Sequence, residues 1–132
     1  MAQVNLIAVL ACGVASLALG GLWYSPALFG KSWQRWAGLS DEQAKSGNMA
    51  VIFGGAFVLS LIAAYVFGMF LGTSMPLMGA VGAGFAAGLC WVGASFGINY
   101  LFERRPLGLW LINAGYHTLQ FTLFGLILGL IH

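Results

Sequence analysis

Charge is what this sequence has least of: five Lys and Arg with three Asp and Glu, 6% of 132 residues, where a soluble domain carries about a quarter. A chain so poor in charge has no water-facing exterior, and its 61% hydrophobic content places it in a lipid bilayer. A net charge of +2 without a basic tract excludes nucleic acid as a partner. Cysteine is almost as rare. Cys12 and Cys90 stand in apolar stretches without CxxC spacing, as small buried hydrophobes and not as a disulfide or metal pair. Of the two histidines, His132 is terminal and His117 has no second histidine or carboxylate at ligand spacing, so neither a metal nor another cofactor is expected. Gly-x-Ser-x-Gly and His-Glu-x-x-His are both missing, and the acidic residues stand only in connections, so the expectation is a protein that is not an enzyme. No positive residue precedes the first apolar run, as it would in a signal peptide, and that run is expected to be retained.

What is present is four long apolar runs, at about 4–22, 49–71, 77–101 and 107–130. They predict an all-α, integral-membrane four-helix bundle, one transmembrane domain over 1–132, with a short interfacial amphipathic helix at about 26–38 between the first two spans. Trp23 and Tyr24 are expected as interface anchors at the end of the first span. Phe29, Trp33 and Trp36 fall within about 60° on a helix, which suits a segment lying on the membrane. Alternatively, Trp33 and Trp36 cap the bundle, or grip a ligand. Ser40-Asp41-Glu42-Gln43 has the form of a capping box, and so reads as helix-start chemistry instead of a catalytic carboxylate pair. In the third run, Gly84-x-x-x-Gly88 and Gly93-x-x-x-Gly97 permit close helix approach. Gly82-x-Gly84-x-x-Ala87 matches a dinucleotide fingerprint only on paper, since no strand precedes it.

Every charged residue lies between the first and second runs or between the third and fourth. Four crossings put both connections on one side, and the positive-inside rule makes that side cytoplasmic, with both termini outside. The expected location is therefore a cell inner membrane, multi-pass, with periplasmic termini. The lipid bilayer is one partner. The glycine-rich third run further suggests a homo-oligomer, most simply a dimer, and a membrane protein partner is the other possibility.

The fourth run carries Asn113, Tyr116, His117 and Gln120 within about 100° on a helix, a polar stripe that cannot face lipid. Ser16, Ser60 and Ser95 are expected at similar depth, completing a polar layer, and Trp91, Ser95 and Asn99 form a polar face on the third run. The functional reading places His117 at the centre of a proton or small-polar-solute site, oriented by Asn113, Tyr116 and Gln120, with Ser60, Ser95 and Asn99 as further candidates. It makes the protein a transporter or channel component. The plainer reading is that the stripe glues the helix to its neighbours, in a non-catalytic accessory subunit or scaffold that docks a protein partner.

Trp23-Tyr24-Ser25-Pro26 with Phe29-Gly30-Lys31-x-Trp33, Tyr100-Leu101-Phe102-Glu103-Arg104-Arg105-Pro106, and Asn113-Ala114-Gly115-Tyr116-His117 together resemble the bacterial family of small membrane proteins known as domain of unknown function 1761. The resemblance covers nearly the whole chain. It implies four spans and draws attention to Tyr116-His117, but it implies no substrate, cofactor or catalytic residue.

Overall fold

The computed structural model describes residues 4–131, with the side chains of Ala44 and Lys45 left aside. His132, weighed above as a metal ligand, and the first three residues lie outside that range. Among the described residues every regular element is helical.

Helix α1 (Leu6–Trp23) starts where the Asn5 side chain accepts from the Ile7 and Ala8 amides, as an N-cap should. The chain then turns sharply: a Cβ on Gly30 would meet the Tyr24 carbonyl, so only glycine fits there. Helix α2 (Gly30–Ala37) stops at Gly38, whose φ of +77° allows Leu39 N–H to reach back to Gln34 O. Helix α3 (Asp41–Lys45) carries the expected box, with Gln43 N–H donating to Ser40 Oγ at 3.1 Å and Ser40 N–H to Gln43 Oε1 at 2.9 Å. Helix α4 (Met49–Leu71) is capped by Asn48 and ended by Gly72. The third span is α5 (Leu77–Ala86), a π-helical segment (Ala87–Gly93) and α6 (Ala94–Glu103), run together without a break. Helix α7 (Leu107–Leu130) follows Pro106. Helices α1, α4, the third span and α7 are each long and apolar enough to cross a membrane, and the chain is an all-helical membrane protein.

Helix α7 is the spine. It is 44% buried, against 28%, 17% and 28% for the other three spans, and it packs on all of them. In space the order is α4, α1, α7, third span: an open arc, because α4 and the third span touch only marginally. Both charge-bearing connections lie at one end, where Trp36 covers Gly108, and both ends of the described chain lie at the other, where Val4 and Leu128 flank Gly68.

Between α7 and the third span the backbones nearly touch. A Cβ on Gly84 would strike the Phe121 carbonyl, one on Gly88 would come within 2.7 Å of Thr118 Cα, and one on Gly125 would strike the Ala80 carbonyl. Small residues that let helices approach this closely are a main source of packing energy in lipid, which supplies no hydrophobic drive between helices. The glycines expected to pair with another copy are therefore already used inside one chain. The basis offered for a dimer is lost with them.

The glycine spacing explains the π segment. Gly84, Gly88, Gly93 and Gly97 are four, five and four residues apart. On a regular helix the five-residue step would turn Gly93 about 140° away from Gly88. The wider turn of a π-helix, with N–H groups bonded five residues back, absorbs the extra residue; Ala94 N–H accordingly reaches Leu89 O. Gly93 thus meets Ala114, and Gly97 meets Trp110.

Candidate functional site

The end remote from the charged connections is dry. Ala8, Val9, Cys12, Ala64, Phe67, Leu71, Ala80, Phe124 and Leu128 form its buried cluster, and Phe121 packs edge-on against Phe67 at 5.7 Å. Below it, toward the charged end, every member of the α7 stripe finds a partner inside the protein. Gln120, 5% exposed, donates through Nε2 to Ser16 Oγ on α1 at 3.0 Å and to Ser60 Oγ on α4 at 3.4 Å. Its Oε1 lies 2.7 Å from His117 Nδ1, so Nδ1 carries the proton and Nε2 is left as an acceptor. No hydrogen bond among the described residues engages that Nε2. Tyr116 donates to Ser16 O at 2.9 Å. Tyr24 donates to Asn113 Oδ1 at 2.6 Å, and Asn113 Nδ2 donates to Tyr100 Oη at 2.8 Å. Burial raises the pKa of Tyr24, with smaller contributions from Tyr116 and Tyr100. Its hydroxyl therefore stays protonated and can donate to Asn113.

Ring contacts close these bonds into a circuit. Tyr24 sits 5.5 Å from Tyr116, Tyr116 4.9 Å from His117, His117 stacks on Phe96 at 5.1 Å and 14°, and Phe96 lies 5.6 Å from Tyr100, which returns through Asn113 to Tyr24. Helix α1 contributes Tyr24, α6 contributes Phe96 and Tyr100, and α7 contributes the rest. The stretches Trp23-Tyr24, Tyr100 and Asn113 to His117, far apart in the chain, meet in this ring. A family model described as protein of unknown function (DUF1761) matches residues 7–129. The chain belongs to the DUF1761 family. Comparison with curated proteins and with solved structures gives no match.

Several side chains lie elsewhere than the sequence suggests. Trp23 and Tyr24 turn inward: the Trp23 indole donates to Ile112 O at 2.9 Å, tying the end of α1 to α7. Trp33 packs edge-on against Tyr24 at 5.7 Å and Trp36 lies on Gly108, so both rings rest on the bundle, as the capping alternative has it. Ser95 and Asn99 are exposed on the outer face of α6 and take no part in the network, because the π segment turns the glycine face of the third span, not the Trp91-Ser95-Asn99 face, toward α7. Phe96, Tyr100 and Trp110 were not singled out as site residues. The Trp110 indole donates to Gly93 O at 2.8 Å and pins the π segment. The one sequence signal for this arrangement was the irregular glycine spacing.

Beside the ring, between α1 and α4, opens a cleft of about 500 Å³. Leu17, Ile52, Phe53 and Ala56 wall it, Trp33 stands at its charged end, and Ser16, Tyr24 and Tyr116 supply its polar edge. Its volume lies within the range of small-molecule sites, and its lining, mostly apolar with a few convergent polar groups, is of the usual kind.

Proposed function

We propose that this DUF1761 protein is a non-catalytic membrane subunit that binds a small, uncharged amphiphile in the cleft between α1 and α4. The observation that carries this reading is the position of the cleft. It ends against the hydrogen-bonded ring on one side and the dry half of the bundle on the other, which makes a pocket without a continuation. Tyr24 and Tyr116 both donate their protons inward, so what they offer the cleft is acceptor lone pairs, suited to a hydroxyl and unsuited to an anion. A solute path through a single copy has no polar lining beyond Gln120, so transport, if it occurs, needs a further copy or another subunit.

The charge pattern supports an inner-membrane location with the connections bearing Lys31, Arg35, Arg104 and Arg105 in the cytoplasm and both termini outside. Helix α2 then lies at the cytoplasmic interface. A homodimer has a new basis: Trp91, 70% exposed, stands with exposed Ser95 and Asn99 on a face that lipid covers poorly.

Quenching of tryptophan fluorescence by a brominated long-chain alcohol tests the reading in detergent. Trp33 should be quenched saturably, Trp33→Phe should remove the saturable component, and Ala56→Phe should block the cleft and abolish it too. A saturable signal that survives Ala56→Phe refutes the cleft as the site.

A further inference from the structure

On the far side of α7 from that cleft, at the charged end of the third span, a second hollow of about 280 Å³ is lined by Gly97, Tyr100, Leu101, Arg105, Pro106, Leu107 and Trp110. Its rim is a donor site. The Tyr100 oxygen already accepts from Asn113 Nδ2 at 2.8 Å, and no acceptor among the described residues takes its own proton. The Arg105 guanidinium uses Nε for Glu103 at 3.2 Å, which leaves both terminal nitrogens without a partner among the described residues. Their four N–H groups form a fork that matches phosphate oxygens, and one pairing through Nε does not exhaust it. Arg104, next in the chain, ends α6 in the left-handed conformation at φ 57° and is exposed. Below this rim the hollow is apolar: Gly97 leaves the groove open, and Leu101, Leu107 and Trp110 form its sides. Donors at the membrane surface above an apolar slot match an anionic group carried on a hydrocarbon chain.

We propose that the Tyr100–Arg105 hollow is a binding site for an anionic phospholipid, whose phosphate accepts from the Tyr100 hydroxyl and the Arg105 guanidinium while an acyl chain lies along Leu101 and Trp110. The Glu103 carboxylate offsets one of the two arginines, and the exposed Arg104 beside Arg105 leaves the rim net positive. The observations behind it are separate from those at the cleft between α1 and α4, which lies on other helices and offers acceptors where this hollow offers donors.

The test is native mass spectrometry of the full chain released from detergent containing equal phosphatidylglycerol and phosphatidylcholine, counting retained lipid. One phosphatidylglycerol should be retained at least tenfold over phosphatidylcholine. Arg104→Gln with Arg105→Gln should remove the preference, and Tyr100→Phe, which keeps the ring beside Phe96, should weaken it severalfold. Circular dichroism and monodispersity of each variant establish that it is folded. Lys31→Gln with Arg35→Gln, the same loss of charge at the same end of the molecule, should leave retention unchanged. Equal loss in that control means attraction by bulk charge and overturns the site. So does full retention in Tyr100→Phe, or equal retention of both lipids. Displacement of the lipid by 10 mM inorganic phosphate assigns the hollow to a free anion and overturns the lipid.

Discussion

The π segment makes a counterintuitive forecast about deletions. Removing one residue from a regular membrane helix rotates everything beyond it by about 100°. Here the third span carries one residue more than a regular helix needs to keep Gly84, Gly88, Gly93 and Gly97 on one face. Deleting Leu89, which is exposed, makes the spacing four, four and four and lets the segment relax to an α-helix with the same residues against α7. The expected cost is at most about 1 kcal/mol, roughly fivefold in the folded-to-unfolded ratio. Deleting both Leu89 and Cys90 leaves no slack and turns α6 away from α7. Lost with it are the Trp110–Gly93 and Asn113–Tyr100 bonds, about 0.6 kcal/mol each in membrane bundles, and the Phe96–His117 stack, about 0.5–1.5 kcal/mol by analogy with aromatic pairs. Larger side chains forced onto the α7 backbone add about 1–3 kcal/mol. The sum is about 3–6 kcal/mol, on the order of a hundredfold or more. Cys12, with 0% exposure, reports it: in a Cys90→Ala background its alkylation rate should change less than about fivefold for the single deletion, and rise at least about a hundredfold for the double one. If the single deletion exposes Cys12 as much as the double one, the account of the π segment is wrong.

The other forecasts use the same thiol assay or a simpler one. Gln120→Leu removes two interhelical bonds and the acceptor for His117, a cost of about 2 kcal/mol. It should speed Cys12 alkylation about thirtyfold, and a change under twofold would mean that the stripe carries no stability. Gly88→Val places a branched side chain where a Cβ alone meets the α7 backbone. It should cost about 1–3 kcal/mol, whereas Gly82→Ala, with open space around it, should be neutral; equal thermal midpoints for the two in detergent refute the close approach. Asn113→Leu cuts the bridge from Tyr24 to Tyr100 and should cost about 1–2 kcal/mol, seen as a lower thermal midpoint. If the exposed α6 face forms a dimer, Asn99→Cys with Cys12→Ala and Cys90→Ala should give an oxidised dimer in native membranes, and Val51→Cys in the same background should not.

Much of the fold was legible because hydropathy and proline placement act locally: each apolar run is bounded by its own turn chemistry, and the Ser40–Gln43 box needs only four consecutive residues. The stripe on α7 was legible for the same reason, being a matter of one helix's periodicity. What it bonds to was only partly so. Ser16 and Ser60 could be matched by depth alone, but Ser95 could not, because its direction depends on the π segment upstream. The Trp23 indole looked like an interface residue by composition, and Trp110 carried no signal of its own; their partners, Ile112 O and Gly93 O, are backbone atoms that no side-chain pattern announces. The glycines were read correctly as close-approach residues but assigned to the wrong neighbour, since a small-residue face does not say whose backbone it meets.

The division of α7 into two halves bears on how the molecule works. Up to Gln120 its inward face is polar and bonded across three helices; beyond Gln120 it continues with Phe121, Phe124, Gly125 and Leu128 against an apolar cluster. A charge or a hydrated solute reaching Gln120 would meet a dry barrier half the membrane thick, where an unpaired polar group costs several kcal/mol. On the proposed reading the polar half is therefore not the start of a pore in one chain. It holds α1, α4 and α6 in fixed positions around α7, so that the cleft on one side presents acceptors and the hollow on the other presents donors. Asn113 links the two, because the bond it accepts from Tyr24 and the bond it donates to Tyr100 set the hydroxyl direction at both. A ligand that rotates Tyr24 away from Asn113 changes the partner available to Tyr100, which gives occupancy of one site a direct physical route to the other.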